Sequence, residues 1–278
     1  MVITGNTALI PHIGYPTSSF KAPMIYNPYF EDAGIDAVVV PMGVPTDAFA
    51  AAMPVIFRLT NFHGALITMP HKVRVVDLLD EVTTTVKIAG SCNAVRRMPD
   101  GRLIGDMFDG EGFVRGVLRK GQALKGARVL VVGSGGVGCS IAASLAKAGV
   151  AGLALYDVSS ASTEALADRL RLHYPALAVT TGSNDPAGFD VVVNATPLGM
   201  SAGDPMPMDV ARIAPSTFVG EVVMKHETTA FLAAALARGC RTQVGIDMLF
   251  EMIPAYIEFF GYQTTSPENL RRLSRVSY

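Results

Sequence analysis

The sequence predicts an α/β fold laid down twice along the chain, and three observations predict it. Short apolar runs alternate with helix-length segments in the first third, and a second such series begins near Arg128; this alternation marks βαβ units and parallel sheets. Several runs are apolar throughout, as parallel strands are when both faces are covered. One of them feeds a glycine-rich turn that opens a helix, Gly133-Ser134-Gly135-Gly136-Val137-Gly138. At 278 residues there is room for two packed domains.

In order, Ala8 to Gly14 reads as a strand, Pro23 to Ala33 as a helix closed by Gly34, and Asp36 to Met42 as a strand. Thr46 is the expected N-cap of a helix running to about Phe57, followed by a strand from Ala65 to Met69. Ala94 to Arg97 and Arg102 to Ile104, joined through Pro99-Asp100-Gly101, read as a small hairpin. In the second series the strands are Val129–Val132, Gly152–Tyr156, Asp190–Asn194 and Phe218–Val223. The helices are Val137–Ala148, Ser162–His173 and Glu227–Arg238, the last stopped by Gly239; Met248–Gly261 and Pro267–Arg275 close the chain as helices.

Composition excludes several classes. Half the residues are apolar, 17% are charged and the net charge is −1 with no basic block, so neither nucleic acid nor an anionic membrane is an expected partner. Cys92, Cys139 and Cys240 have no metal-ligand spacing; buried thiols in a reducing compartment, and no metal, are expected. The start of the chain lacks the basic and apolar regions of a signal peptide. Val129 to Ala146 is uncharged like a membrane span, but its glycines interrupt it and Lys147 ends it, so it reads as α/β core. A cytoplasmic protein, monomer or homodimer, is expected.

The glycine turn has the context a dinucleotide requires. Glycines allow a tight turn and close backbone approach to a pyrophosphate, whose charge the helix N-terminus stabilises. An acid, Asp157, ends the next strand about twenty residues on. Its carboxylate suits the ribose hydroxyls of NAD and repels a 2′-phosphate. Val158-Ser159-Ser160-Ala161-Ser162 offers no base until Arg169, so NAD is expected over NADP. Asn194-Ala195-Thr196-Pro197-Leu198-Gly199-Met200 follows another apolar strand; it reads equally as a plain turn or as a loop touching ribose or nicotinamide. Lys72, just after a strand, reads by itself as a surface charge. Beside a nicotinamide domain it becomes a candidate proton carrier, and the carboxylate of Asp109 would hold its ammonium.

These segments resemble, in order and over nearly the whole chain, the shikimate dehydrogenase family, which includes quinate dehydrogenases. The matching stretches are Gly14-Tyr15-Pro16 to Pro23, Thr68 to Lys72, Gly90-Ser91-Cys92-Asn93, Gly105 to Gly110, Gly133 to Gly138, Asn194 to Met200, and Gly245 to Leu249. The resemblance implies an N-terminal α/β substrate domain over residues 1–110, completed from about residue 246. A Rossmann-type, doubly wound NAD-binding domain over 111–245 lies between. It implies Lys72 and Asp109 as the catalytic pair and Thr68 and Asn93 as substrate contacts. The cofactor positions it gives are Gly133, Ser134, Gly135, Gly136, Val137, Asp157, Val158, Asn194, Thr196, Pro197, Val222, Gly245 and Met248.

The chain departs from the family around the substrate. Two serines that hold the substrate carboxylate there become Phe20 and Ala22, with Ser18, Ser19 and Lys21 nearby but out of register. The asparagine two residues before Thr68 becomes Leu66, and further asparagine, tyrosine and glutamine positions become Met107, Met224 and Met252. Removing such donors costs shikimate several kcal/mol, at about 1 kcal/mol or more each. The expected substrate is a small cyclic hydroxy compound less polar than shikimate. Two alternatives stand beside it: a genuine shikimate or quinate dehydrogenase with rearranged carboxylate contacts, and a non-catalytic NAD-binding regulator.

Overall fold

The computed structural model describes residues 2–276. In chain order come β1 (Ala8–Gly14), α1 (Pro23–Asp32), β2 (Ala37–Gly43), α2 (Phe49–Ile56), β3 (Gly64–Ile67) and β4 (Glu81–Val82). Next are α3 (Thr84–Ala89), β5 (Ala94–Arg97), β6 (Leu103–Asp106), α4 (Asp109–Arg119), β7 (Arg128–Val132) and α5 (Gly136–Lys147). The remainder is β8 (Gly152–Tyr156), α6 (Ser160–His173), β9 (Ala178–Thr181), β10 (Val191–Asn194), β11 (Phe218–Glu221), α7 (Ala230–Ala237), β12 (Arg241–Gln243), α8 (Gly245–Phe259) and α9 (Pro267–Leu273).

The chain divides into two compact units. One takes the chain up to Val86, Gly90–Phe108, and everything from Ile253 onward; the other takes Lys87–Ala89 and Asp109–Met252. The first unit's sheet has the order β2-β1-β3-β5-β6-β4. Its β1 pairs in parallel with β2 and β3, while β5 runs antiparallel to both β3 and β6, so the hairpin read from Pro99-Asp100-Gly101 extends a parallel core into a mixed sheet. The chain's C-terminal segment returns to this unit: Tyr29 Oη donates to the Gln263 carbonyl at 2.5 Å, and the rings of Tyr26, Phe30, Tyr256, Phe260 and Tyr262 form one aromatic cluster.

The second sheet is parallel throughout, in the order β9-β8-β7-β10-β11-β12. Counted from β7 this is 3-2-1-4-5-6, the doubly wound arrangement that binds dinucleotides where the order reverses. Strands β7, β10 and β11 are buried almost end to end, which explains their unbroken apolar runs. No helix among the described residues is long and apolar enough to cross a membrane, and Cys92, Cys139 and Cys240 are buried and unbridged.

Some expected boundaries move. Thr46 does not cap α2, which begins three residues later at Phe49 with Ala48 in the N-cap position. Pro45 to Ala48 form a turn instead, in which the Asp47 carboxylate accepts the Ala48 N–H, while Arg74 donates to the Thr46 carbonyl at 2.9 Å. The strand read to Met69 stops at Ile67, because Thr68 opens a turn closed by the His71 N–H. Helix α7 starts at Ala230 rather than Glu227, where Thr229 accepts the Leu232 N–H as a true cap.

Candidate active site

In the first unit, the carboxyl ends of β1 and β3 form one corner. Thr68 donates its N–H to the Ile13 carbonyl at 2.8 Å, setting the turn that leads to Lys72. That turn is fixed on both sides. The buried His71 ring lies 4.6 Å from the Phe49 ring, and its Nε2 is 2.6 Å from the Val44 carbonyl; the Lys72 carbonyl accepts the Cys92 N–H at 2.7 Å. Lys72 is thus carried on backbone tied to β1 and to the segments around Val44 and Cys92.

Phe20 and Thr68 meet over Gly14. A Cβ at that position would stand 2.4 Å from Thr68 Cγ2 and 2.9 Å from Phe20 Cζ, so only glycine lets both side chains approach. The Phe20 ring stacks on the His12 ring with centroids 4.1 Å apart and planes inclined by 26°. Ser18 and Ser19 occupy the exposed tip of the turn closed by Phe20 N–H to the Thr17 carbonyl, and Lys21 is exposed. Ala22 sits at the N-terminus of α1, its carbonyl accepting the Ile25 and Tyr26 amides. Leu66, buried in β3, is the register partner of His12.

Asn93 is buried and ties this corner together. Its side-chain oxygen accepts the Phe108 N–H at 2.9 Å, and its carbonyl accepts the Ile67 N–H and, at 3.4 Å, the Tyr256 hydroxyl. Met107, which precedes Phe108, is fully buried, and Asp106 accepts both the Met107 amide and the Thr83 hydroxyl. Sequence reasoning passed over His12. Its signal was a polar residue inside an otherwise apolar strand, on the face opposite to Ile13. Burial, aided by the Lys72 charge, lowers its pKa to about 4, so the ring is neutral.

In the second unit Asp109 opens α4 and is buried. The next residue, Gly110, donates its N–H to Ser140 Oγ at 2.8 Å; a Cβ on Gly110 would stand 2.0 Å from the Ser140 carbonyl oxygen. Glycine there lets α4 lie directly on α5. Met252 packs against Gly112 on the other side of α4, so it is at least in part a packing residue, and Met224 is half exposed.

The glycine turn after β7 divides into two pairs. Gly133, at φ +109°, and Gly138 are packing glycines: a Cβ on Gly138 would stand 2.0 Å from the Gly133 oxygen. Gly135 and Gly136 face open space, and no side chain caps α5 at its N-cap residue, Gly135. Uncapped helix amides beside open space fit a pyrophosphate. Val137 follows on the first turn of α5. Asp157, at the end of β8, accepts the Ser134 N–H on Oδ2 at 2.7 Å and the Ser159 N–H on Oδ1 at 2.9 Å. Val158 beside it is 95% exposed. Arg169 is committed elsewhere, donating to the Ile88 carbonyl at 2.6 Å.

Beyond β10, the buried Asn194 side chain is consumed in shaping its loop: it accepts from the Thr196 amide and hydroxyl and donates to the Leu198 carbonyl. Pro197 follows, with Gly199 at φ +101° completing the turn. Val222 donates its N–H to the Asn194 carbonyl, and Gly245 lies where a Cβ would be 2.2 Å from the Val223 oxygen. Met248 is buried one turn into α8. The loops after β7, β8 and β10 therefore gather at the carboxyl edge of one sheet, the edge where such sheets bind nucleotides.

Two family models match this chain: the shikimate dehydrogenase substrate binding domain over residues 12–95, and the ThiF family over residues 113–167, the glycine-turn region. Over 274 residues the chain is 33% identical to a shikimate dehydrogenase (NADP(+)) of Acidiphilium cryptum, covering 98% of this chain and 97% of that protein. The chain belongs to the shikimate dehydrogenase family. Among solved structures, shikimate 5-dehydrogenase of Listeria monocytogenes, in complex with shikimate and NAD, superposes with a TM-score of 0.91 at 23% identity, covering 98% of this chain and 97% of that one. The ligand-free 5-ketofructose reductase of a Gluconobacter strain gives 0.88 at 25% identity, covering 97% and 98%. The fold expected from the sequence, a substrate-side α/β unit with returning C-terminal helices and a Rossmann-type unit, is the fold of this family.

Proposed function

We propose that this chain is an NAD-dependent oxidoreductase acting on a secondary alcohol or its ketone, in a compact cyclic hydroxy compound less polar than shikimate. The observation that carries the reading is the Phe20 ring, stacked on His12 and, like Thr68, lying over Gly14, where the family resemblance places a carboxylate-binding serine. An aromatic face does not replace the hydroxyl donors that a carboxylate needs. The same fold serves a reductase named for 5-ketofructose, a keto sugar without a carboxylate, which supports a substrate lacking that group.

A bound nicotinamide supplies the hydride acceptor or donor. The proton is the work of this chain's residues. Lys72 takes the proton from the substrate hydroxyl in oxidation and returns it in reduction. Asp109 is the carboxylate that the family resemblance assigns to the catalytic pair with Lys72, and Thr68 and Asn93 are the substrate contacts that resemblance gives. Gly135, Gly136 and Val137 hold the pyrophosphate on the α5 amides, and Asp157 takes the adenosine ribose. NAD preference is supported by that carboxylate, the neighbouring Val158-Ser159-Ser160, and the commitment of Arg169 to Ile88. The A. cryptum relative is named for NADP(+), so both cofactors belong in the test. Unbridged buried cysteines support a reducing, cytoplasmic setting.

The test is a screen of cyclic hydroxy acids, their esters and simple cyclic alcohols, with NAD and NADP, read as absorbance of the reduced cofactor. Lys72→Met is expected to lower kcat by roughly 10³-fold, within the usual range for a proton-transfer group, with NAD binding unchanged. Turnover surviving in that variant removes Lys72 from the mechanism. Saturation at sub-millimolar shikimate instead identifies a shikimate dehydrogenase whose carboxylate contacts come from Ser18, Ser19 or Lys21.

A further inference from the structure

Among the first unit's polar atoms sealed without a hydrogen-bond partner, which include His71 Nδ1, Ser91 Oγ and Arg96 Nε, one lies at the corner where Phe20 stacks and is unused by the proposed mechanism: His12 Nδ1. His12 lies on β1, in register with Leu66, and its ring is stacked under Phe20. Its Nδ1 is sealed from solvent and has no hydrogen-bond partner among the described residues. Buried polar atoms are nearly always paired, so an exception calls for a cause. The other ring nitrogen, Nε2, also has no hydrogen-bond partner among the described residues and, unlike Nδ1, is not sealed from solvent; around the ring stand Phe20 on its face, Leu66 in register beside it, and the Lys72 charge within electrostatic reach.

We infer that His12 is the specificity-determining polar group of this corner, hydrogen-bonding an uncharged hydroxyl, carbonyl or ester oxygen of the ligand through its exposed edge. Three features carry this. Stacking at 4.1 Å fixes the imidazole plane before any ligand arrives, so the orientation of the hydrogen bond is preset. At Nε2 a neutral imidazole presents, according to tautomer, either an N–H, which suits a hydroxyl, carbonyl or ester oxygen, or a lone pair, which suits a hydroxyl. It offers no charge to a carboxylate, and burial with the nearby Lys72 cation keeps it neutral down to about pH 4. The Phe20 face beside it supplies an apolar wall for the C–H face of a ring compound. Together, His12 and Phe20 select an uncharged, oxygen-bearing cyclic ligand against its carboxylate counterpart. The inference rests on reading this unit as the substrate side, and it names the ligand class there.

The test pairs shikimate with its methyl ester, which differ in the charge at one position. Protein with ¹⁵N-labelled histidine, assigned against His12→Val, is titrated with each compound while the imidazole signals are followed by NMR. The ester is expected to shift the His12 ring signals and to bind at a concentration roughly tenfold below that needed for shikimate, the factor supplied by one good hydrogen bond. In His12→Val that preference is expected to fall to near one. In His12→Asn, which keeps a neutral donor and acceptor, part of it is expected to return. Thermal unfolding and NAD binding check that each variant is folded; should His12→Val not fold, wild type and His12→Asn decide the matter. An unmoved His12 signal at the highest soluble ester concentration overturns the inference, as does equal or tighter binding of shikimate by wild type. An ester that moves the signal but is never oxidised leaves the inference standing and sinks the oxidoreductase reading instead.

Discussion

The two six-stranded sheets treat chemistry in opposite ways. The parallel sheet of the second unit presents backbone: uncapped amides at α5, open space over Gly135 and Gly136, and one carboxylate at the end of β8. The mixed sheet of the first unit presents side chains: Phe20, His12, Thr68 and Lys72 at the ends of β1 and β3. Backbone recognition depends on glycines and strand order, so side chains around it can change without altering the amides it presents. Side-chain recognition can be rewritten residue by residue while the backbone stays. The difference accounts for a chain that keeps its glycine turn while carrying Phe20 and Ala22 where the family resemblance expects two serines.

The sharpest way to break this comparison is inside the glycine turn, where the two kinds of glycine should separate. In Gly138→Ala the new Cβ would stand 2.0 Å from the Gly133 oxygen and 2.8 Å from its carbonyl carbon, both of them backbone. The expected loss is about 4 kcal/mol of stability, beyond the ~1–3 kcal/mol of ordinary overpacking because neither neighbour can turn aside. Gly136→Ala meets nothing within 4 Å. It should unfold within about 0.5 kcal/mol of wild type, as surface changes do, while raising KM for the cofactor. Denaturant melts and cofactor titrations of the two variants read this out, and equal destabilisation by both would remove the distinction.

A second measurement turns to the other unit and to pH. His12 titrates at about 4 in the folded chain, against 6.5 for an imidazole in water, because its charged form is desolvated and lies near Lys72. Between those values the unfolded chain binds a proton that the folded chain does not. Stability is therefore full above about pH 6.5 and is lost as pH falls toward 4. The shift corresponds to about 3 kcal/mol at 1.36 kcal/mol per pH unit. Urea melts from pH 7 to pH 4 should show this slope in wild type and lack it in His12→Val. A slope unchanged by the substitution would assign the acid sensitivity to other groups.

The two units also differ in how much of them the sequence reveals. Strands β7, β8 and β10 are legible because both faces are covered, which forces apolar runs. The edge strands are not: β9, Ala178–Thr181, alternates between exposed and half-buried residues, and β12 is Arg241-Thr242-Gln243. Helix α4 escaped because Gly110, Gly112 and Gly116 argue locally against a helix. Their reason is tertiary, since Ser140, Met248 and Gln243 each lie where a Cβ would go. In the first unit Lys72, Asn93 and Thr68 are legible as a motif. His12 is not, because its significance comes from the stacking of Phe20 and the register with Leu66, neither of which is encoded by spacing.

The smallest expected effect decides what Asp157 contributes. Its two oxygens already accept the Ser134 and Ser159 amides, so the carboxylate steadies the glycine turn whether or not it reads the ribose. Each carboxylate oxygen has two lone pairs, which leaves capacity for ribose hydroxyls. Asp157→Ser removes the negative charge that opposes a 2′-phosphate, and the exposed Val158 beside it poses no barrier. The ratio of kcat/KM for NAD to that for NADP should fall about tenfold, equivalent to ~1.4 kcal/mol. A turn-steadying role alone predicts another pattern, in which KM rises equally for both cofactors and the ratio stays put. That outcome would make Asp157 a scaffold residue and leave cofactor choice to groups outside the β8–α6 turn, whereas a fall in the ratio ties the choice to one carboxylate at the end of one buried strand.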